Sequence, residues 1–198
     1  YLISAINDDY KGYTNFRIGL CLELTGNRKE AIKFYDIFSD GNSDIEEDLY
    51  AERKGGEFEG RKLTSYEIRL IKLSNLIKQN KLSISKDSLQ NFIRLTKISN
   101  ELKAEAMLYL SEICYLQRDY KESLDYAVNC IKTEIEKEKW VHAYAYYMGA
   151  WNSYQQKKYV DAKLFLLQID NLEEFDFRNS LENKIYSLLR LLPEESNK

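Results

Sequence analysis

The chain has 198 residues, 44% of them hydrophobic, a formal net charge of −3 and a single histidine. That much apolar material can bury a continuous core, while interspersed acids and bases leave no basic footprint for nucleic acid. No run approaches the ~20 consecutive apolar residues of a membrane-spanning helix, and one histidine gives a catalytic triad or a histidine-based zinc site little to work with.

One proline and eight glycines favour long helices. Apolar periodicity places them over about residues 10–25, 27–39, 44–54, 64–80, 86–99, 100–117, 119–136, 139–156, 158–169 and 175–192. Three stretches, 15–38, 107–131 and 146–169, repeat one unit of helix, tight turn and helix. Their turns are Gly26-Asn27-Arg28, Arg118-Asp119-Tyr120 and Lys157-Lys158-Tyr159, each followed by a small residue, Ala31, Ser123 or Ala162. A small side chain there lets two antiparallel helices approach, while apolar positions at i, i+3, i+4 and i+7 bury one stripe. A further pair is 65–79 followed by 87–99, with Ser85 or Asp87 expected to cap its second helix.

Between the first pair and this one lies an insertion, 39–62, that opens acidic and closes basic and glycine-rich. Ser43 or Asp44 is placed to cap a helix carrying Glu46, Glu47 and Asp48 at its positive end, and Gly55-Gly56 is expected to stop it. The glycines 55, 56 and 60 beside Arg61 and Lys62 read as a flexible linker, since no strand or Lys-Ser/Thr pair makes them a phosphate loop. The last segment carries the stripe Phe177, Leu181, Ile185, Leu188, Leu189 and Leu192 before Pro193 and a polar tail.

These units resemble the tetratricopeptide repeat, whose helix pairs stack into a solenoid. The resemblance implies an all-α, tetratricopeptide-like solenoid of about four pairs (10–39, 64–99, 100–136 and 139–169) with the insertion 39–62 and a C-terminal capping helix over 173–192. The whole of 1–198 then forms one helical-repeat domain. Ser123 to Ala162 spans 39 residues against ~34 in the repeat, the excess falling in the charged run 134–139. Because the chain begins at Tyr1, it is expected to be part of a longer protein.

The order of the pieces is similar to one family, the fungal inclusion-body clearance proteins and their animal relatives, the tetratricopeptide repeat 39 group, in its C-terminal portion. One marker is Ala51-Glu52-Arg53-Lys54 after an acidic linker, followed by Tyr66-Glu67-Ile68-Arg69-Leu70. Another is His142-Ala143-Tyr144-Ala145-Tyr146-Tyr147-Met148-Gly149 running through Tyr159-Val160-Asp161-Ala162-Lys163 into the last helix, where Leu181, Lys184, Ile185 and Leu189 fall where the family tends to carry leucine, arginine, isoleucine and leucine. Arg178, Ser180 and Tyr186 depart from the pattern, standing where an acid, an arginine and a histidine are expected. The resemblance implies a non-enzymatic protein of the cytoplasm or nucleus, linked to inclusion-body clearance and to lipid droplets.

No catalytic, cofactor or metal residues are assigned. His142 is expected on a helix face near the repeat surface. Cys114 and Cys130 are expected to touch as small hydrophobes, and the odd number of cysteines, with Cys21, fits a reducing compartment. Glu46-Glu47-Asp48 and Glu194-Glu195 read as solvated. The candidate site is aromatic: Tyr144, Tyr147, Trp151 and Tyr154 share a helix stripe that, with Glu112 and Tyr115 of the preceding repeat, would hold a protein or peptide partner. The alternatives are that these rings are buried core, or that they enclose a lipid or sterol. The equivalent stripe of the first repeat, Tyr13, Phe16, Leu20 and Glu23, lacks the lysine and asparagine that clamp a peptide carboxylate.

Overall fold

A computed structural model describes residues 10–37 and 41–193. The expected helix end at 38–39, the start of the insertion and the Glu194-Glu195 tail lie outside the described residues. Among those residues the chain is all-helical, with no strand: α1 Lys11–Leu24, α2 Arg28–Asp36, α3 Glu46–Gly60, α4 Ser65–Lys78, α5 Leu82–Phe92, α6 Asn100–Leu116, α7 Tyr120–Ile131, α8 Trp140–Gln155, α9 Tyr159–Asp170 and α10 Arg178–Leu189. The chain divides into two compact units, one ending at Ile68 and the other beginning at Arg69, with the division inside α4.

One local geometry recurs in four helix pairs. Gly26, Asn80, Arg118 and Lys157 each end a helix at positive φ (86°, 59°, 62° and 58°). In each case the next N–H reaches back five residues: Asn27 to Leu22 O, Lys81 to Leu76 O, Asp119 to Cys114 O and Lys158 to Ser153 O, at 2.8–2.9 Å. Orphan carbonyls at the helix end are satisfied in this way. Five residues after each turn residue comes a fully buried small side chain, Ala31, Ser85, Ser123 or Ala162. Ser85 is therefore not a cap: α5 starts at Leu82, and the Ser85 hydroxyl donates to Leu73 O, 3.1 Å away and twelve residues earlier. Ser123 donates in the same way to Ser111 O at 2.6 Å.

In the first unit α1, α2 and α3 pack on one another. Phe16, 3% exposed, is ringed by Tyr13, Tyr35, Tyr50 and Phe58 at 5.9–6.5 Å between centroids. Glu23, also buried, accepts from Arg28 Nη1 (2.9 Å), Tyr35 Oη (2.9 Å) and Leu63 N (3.0 Å). The first repeat's stripe thus belongs to the core and lines no open groove. Three expectations for the insertion are corrected. Asp48 is buried rather than solvated, taking the backbone N–H groups of Tyr13 (2.7 Å) and Asn42 (2.8 Å) and so capping α1 from another helix. The glycine pair does not stop α3: Ala51, Gly55 and Phe58 form a buried stripe, and packing of that stripe outweighs glycine's poor helix propensity. Ser43 and Asp44 make no cap there either, since Ile45 occupies the N-cap position.

In the second unit α5 packs on α6, α6 on α7 and α8, α7 on α8, and α8 on α9 and α10. Helices α6 and α7 are capped by Ser99 and Asp119, whose side chains accept from Leu102 N and Glu122 N. Residues 134–139 form a loop rather than more of α7. Cys114 and Cys130 have different surroundings: the first lies near the turn, its Sγ 3.4 Å from Glu122 Oε2, and the second belongs to a cluster with Ala104, Leu108, Val141 and Ala145. Burial pushes the Cys114 thiol up to about 11 and that of Cys130 up to about 12, while Cys21 is exposed. Leu181 and Leu188 of α10 are fully buried, and Leu192 just after it nearly so, in a cluster with Ala143, Ala150, Ala162, Leu166 and Ile169. Leu189, expected in that stripe, is 42% exposed.

Candidate functional site

Alternation of side-chain size along α8 sets the site. Ala143, Ala145, Gly149 and Ala150 are buried against neighbouring helices. Gly149 fits because the Phe165 ring on α9 leaves no room for a methyl group: a Cβ there would lie 2.7 Å from the ring. Asn152, fully buried, donates to Ser123 Oγ at 2.8 Å and fixes the register of α8 on the α6–α7 pair.

That register aims the aromatic stripe. Trp151 meets Tyr147 at 6.4 Å and 90°, Tyr154 at 5.7 Å and 88°, and Tyr115 of α6 at 6.2 Å and 64°, all edge to face. The series continues through Tyr115 to Tyr120 (5.6 Å) and through Tyr154 to Tyr159 (5.9 Å), two rings that sequence spacing did not assign. Both follow the tight turns directly, and that position was the available signal. Gln155 Nε2 donates to Tyr115 Oη at 3.2 Å, tying α8 to α6 at the same point. All these rings are half-buried, and burial raises the Tyr147 hydroxyl above its ordinary range.

Tyr144 stands apart from this series. Its ring meets Trp140 at 6.0 Å and carries Lys184 Nζ of α10 at 4.8 Å from its centroid. Glu112 lies one turn before Tyr115, open to solvent yet enclosed enough that desolvation lifts its carboxyl above the usual carboxylate range, against the pull of Lys78 and Lys184. The structure therefore joins Tyr115, Tyr147, Trp151 and Tyr154 in one ring cluster, and Lys184 relates Tyr144 to Glu112.

His142 is half-buried with one ring nitrogen 2.9 Å from Thr133 O, and desolvation, partly offset by the Thr133 and Cys130 carbonyls, lowers its pKa. Among the described residues no cluster of three or more His, Cys, Asp or Glu could hold a metal, and no helix is long and apolar enough to cross a membrane. No known family model, curated protein or solved structure matches the chain, so the reading of this face rests on its own geometry.

Proposed function

We propose that the protein is a non-catalytic helical-repeat scaffold of the tetratricopeptide kind that holds a protein partner on the aromatic face of α6 and α8. The carrying observation is the continuous series of half-exposed rings Tyr115, Trp151, Tyr147 and Tyr154 across two packed helices. Rigid aromatic side chains lose little conformational freedom on binding and dominate interface energetics. Support for the repeat comes from the four identical turns and the small residue five positions after each. Support for inclusion-body clearance, lipid-droplet association and a cytoplasmic or nuclear setting comes from the sequence resemblance alone. A protein partner is favoured over a lipid because the rings contact one another, leaving no space between them for an acyl chain.

The test is capture of partners by the full-length protein under folding stress, with a lipid extract analysed in parallel, for wild type and the double variant Tyr147→Ala, Trp151→Ala. The double variant should lose at least ~2 kcal/mol of binding, about thirtyfold, if the rings are central anchors. Normal capture by a variant that keeps its circular dichroism refutes the assignment of this face. Unfolding of the variant instead assigns the rings to the core.

A further inference from the structure

Helix α9 is apolar on two sides, and the core uses one of them. Ala162, Leu166 and Ile169 are buried in the cluster where α9 packs on α8. On the other side Val160, Leu164 and Leu167 are 72%, 53% and 55% exposed. Their spacings of four and three residues put them in one stripe along the helix. Among the described residues no other helix leaves three large apolar side chains exposed.

The charges at the two ends of α9 point to what covers this stripe. Lys157 and Lys158 are exposed just before its first turn, and Asp170, its last residue, is exposed at the other end. Both signs are reversed from what an isolated helix favours, since its N-terminus attracts an anion and its C-terminus a cation. A second α9 running antiparallel removes the mismatch. It brings Asp170 of each copy to the end that carries the lysines of the other, and it aligns the two helix dipoles favourably. The register closes on itself: Lys157 lies three residues before Val160 and Asp170 three residues after Leu167. Val160 of one copy therefore falls opposite Leu167 of the other, with Leu164 beside the two-fold axis. Such self-complementarity is what a two-fold interface requires. Asp161 and Lys163 flank the stripe on opposite sides, at the rim, where solvent screens them.

We propose that the protein forms a two-fold symmetric dimer in which the stripe Val160, Leu164 and Leu167 of α9 packs against the same stripe of a second copy, antiparallel. The dimer uses none of the rings assigned to a partner on α6 and α8. Three aliphatic side chains on one short helix make a small contact, of the weak class under ~1,200 Å² in total.

Sedimentation equilibrium on the whole chain tests this. Wild type should be monomeric near ~1 µM and dimeric near ~100 µM. Leu164→Glu, a substitution at an exposed position, should stay monomeric at the higher concentration and keep its circular dichroism. The double variant Lys157→Glu, Lys158→Glu should dimerise at least tenfold more weakly than wild type, and so should Asp170→Lys, because each sets like charges against one another. An equimolar mixture of these two charge variants should recover the dimer, since opposite charges then meet at both ends. A monomer at every concentration, or a dimer indifferent to Leu164→Glu, overturns the proposal. So do charge variants that associate as well as wild type, or that fail to recover on mixing. Loss of circular dichroism in Leu164→Glu assigns the residue to the core and overturns it as well.

Discussion

His142 is the sole histidine of the chain, so stability between pH 5 and 7 isolates one side chain. Its folded pKa lies below the unfolded value because burial disfavours the charged ring more than the Thr133 and Cys130 carbonyls favour it. The unfolded chain consequently binds the extra proton first. The contribution of the neutral ring is complete above the unfolded pKa of ~6.5 and is lost as pH falls through the lower folded value. Wild type should lose urea resistance as pH drops from 7.5 to 5.5, and His142→Gln, which keeps a donor toward Thr133 O, should show a flatter profile over that window. Glu112 is shifted the opposite way, its pKa raised, but is present in both proteins and cancels in the difference. Parallel profiles would mean the ring is solvated. The acid groups act lower on the scale. Burial opposes the charged forms of Glu57 and Glu67, yet hydrogen bonds from Arg61, joined by Lys54 at Glu57 and Thr64 at Glu67, hold both below the usual range. Their contribution is present above the unfolded carboxylate pKa and disappears as pH falls through the depressed values.

The helices show which sequence signals are strong and which are overridden. Tight 3.6-residue periodicity marked both helices of the pairs α6–α7 and α8–α9, and the turns at Gly26, Arg118 and Lys157 were visible as short polar breaks. The turn at Asn80 was not recognised as the same device because the expected helices, 64–80 and 86–99, left a longer break there, although asparagine takes the left-handed conformation through its own side chain. Hence Ser85 was taken for a cap, although its distance from Asn80 is the same five residues found in the other pairs. At the candidate site, spacing sufficed to group Tyr147, Trp151 and Tyr154 on one helix, while Tyr144 of the same stripe meets Trp140 and Lys184 instead. Tyr120, Tyr159 and Lys184 reach it from other helices, and only tertiary packing brings them there. Helix α3 is the clearest override. Its Gly55-Gly56 pair favours a break, but the stripe Ala51, Gly55, Phe58 is buried and Glu57 is paired with both Lys54 and Arg61. A helical glycine at an exposed position destabilises for lack of backbone restriction in the unfolded chain. Gly56 is exposed, so Gly56→Ala should raise stability by ~0.5–1 kcal/mol, measured by urea denaturation. No change would return this segment to a flexible linker.

At the scale of the molecule, the second unit ends in a helix that both closes the core and furnishes the candidate face. Leu181 and Leu188 are fully buried in the cluster with Ala143 and Ala150 of α8, Phe177 meets Trp140 edge to face at 6.2 Å, and Lys184 covers Tyr144. The same helix leaves Tyr186 and Leu189 more than 40% exposed, as is Leu191 just after it, so its outer side is not sealed. Deleting 173–198 would strip the apolar cover from α8 and α9. Each buried leucine contributes ~1.5–3 kcal/mol, and two or three of them approach the ~5–15 kcal/mol that separates a folded domain from its unfolded chain. Trp140 and Trp151 both belong to this unit, so their fluorescence follows its unfolding without a contribution from α1–α3. The truncated chain should therefore aggregate or show a tryptophan-detected transition at much lower temperature, and the ring series from Tyr115 to Tyr159 should lose its near-ultraviolet dichroism in the same step. A soluble truncated monomer with an unchanged tryptophan transition would make α10 an independent arm rather than the closing helix.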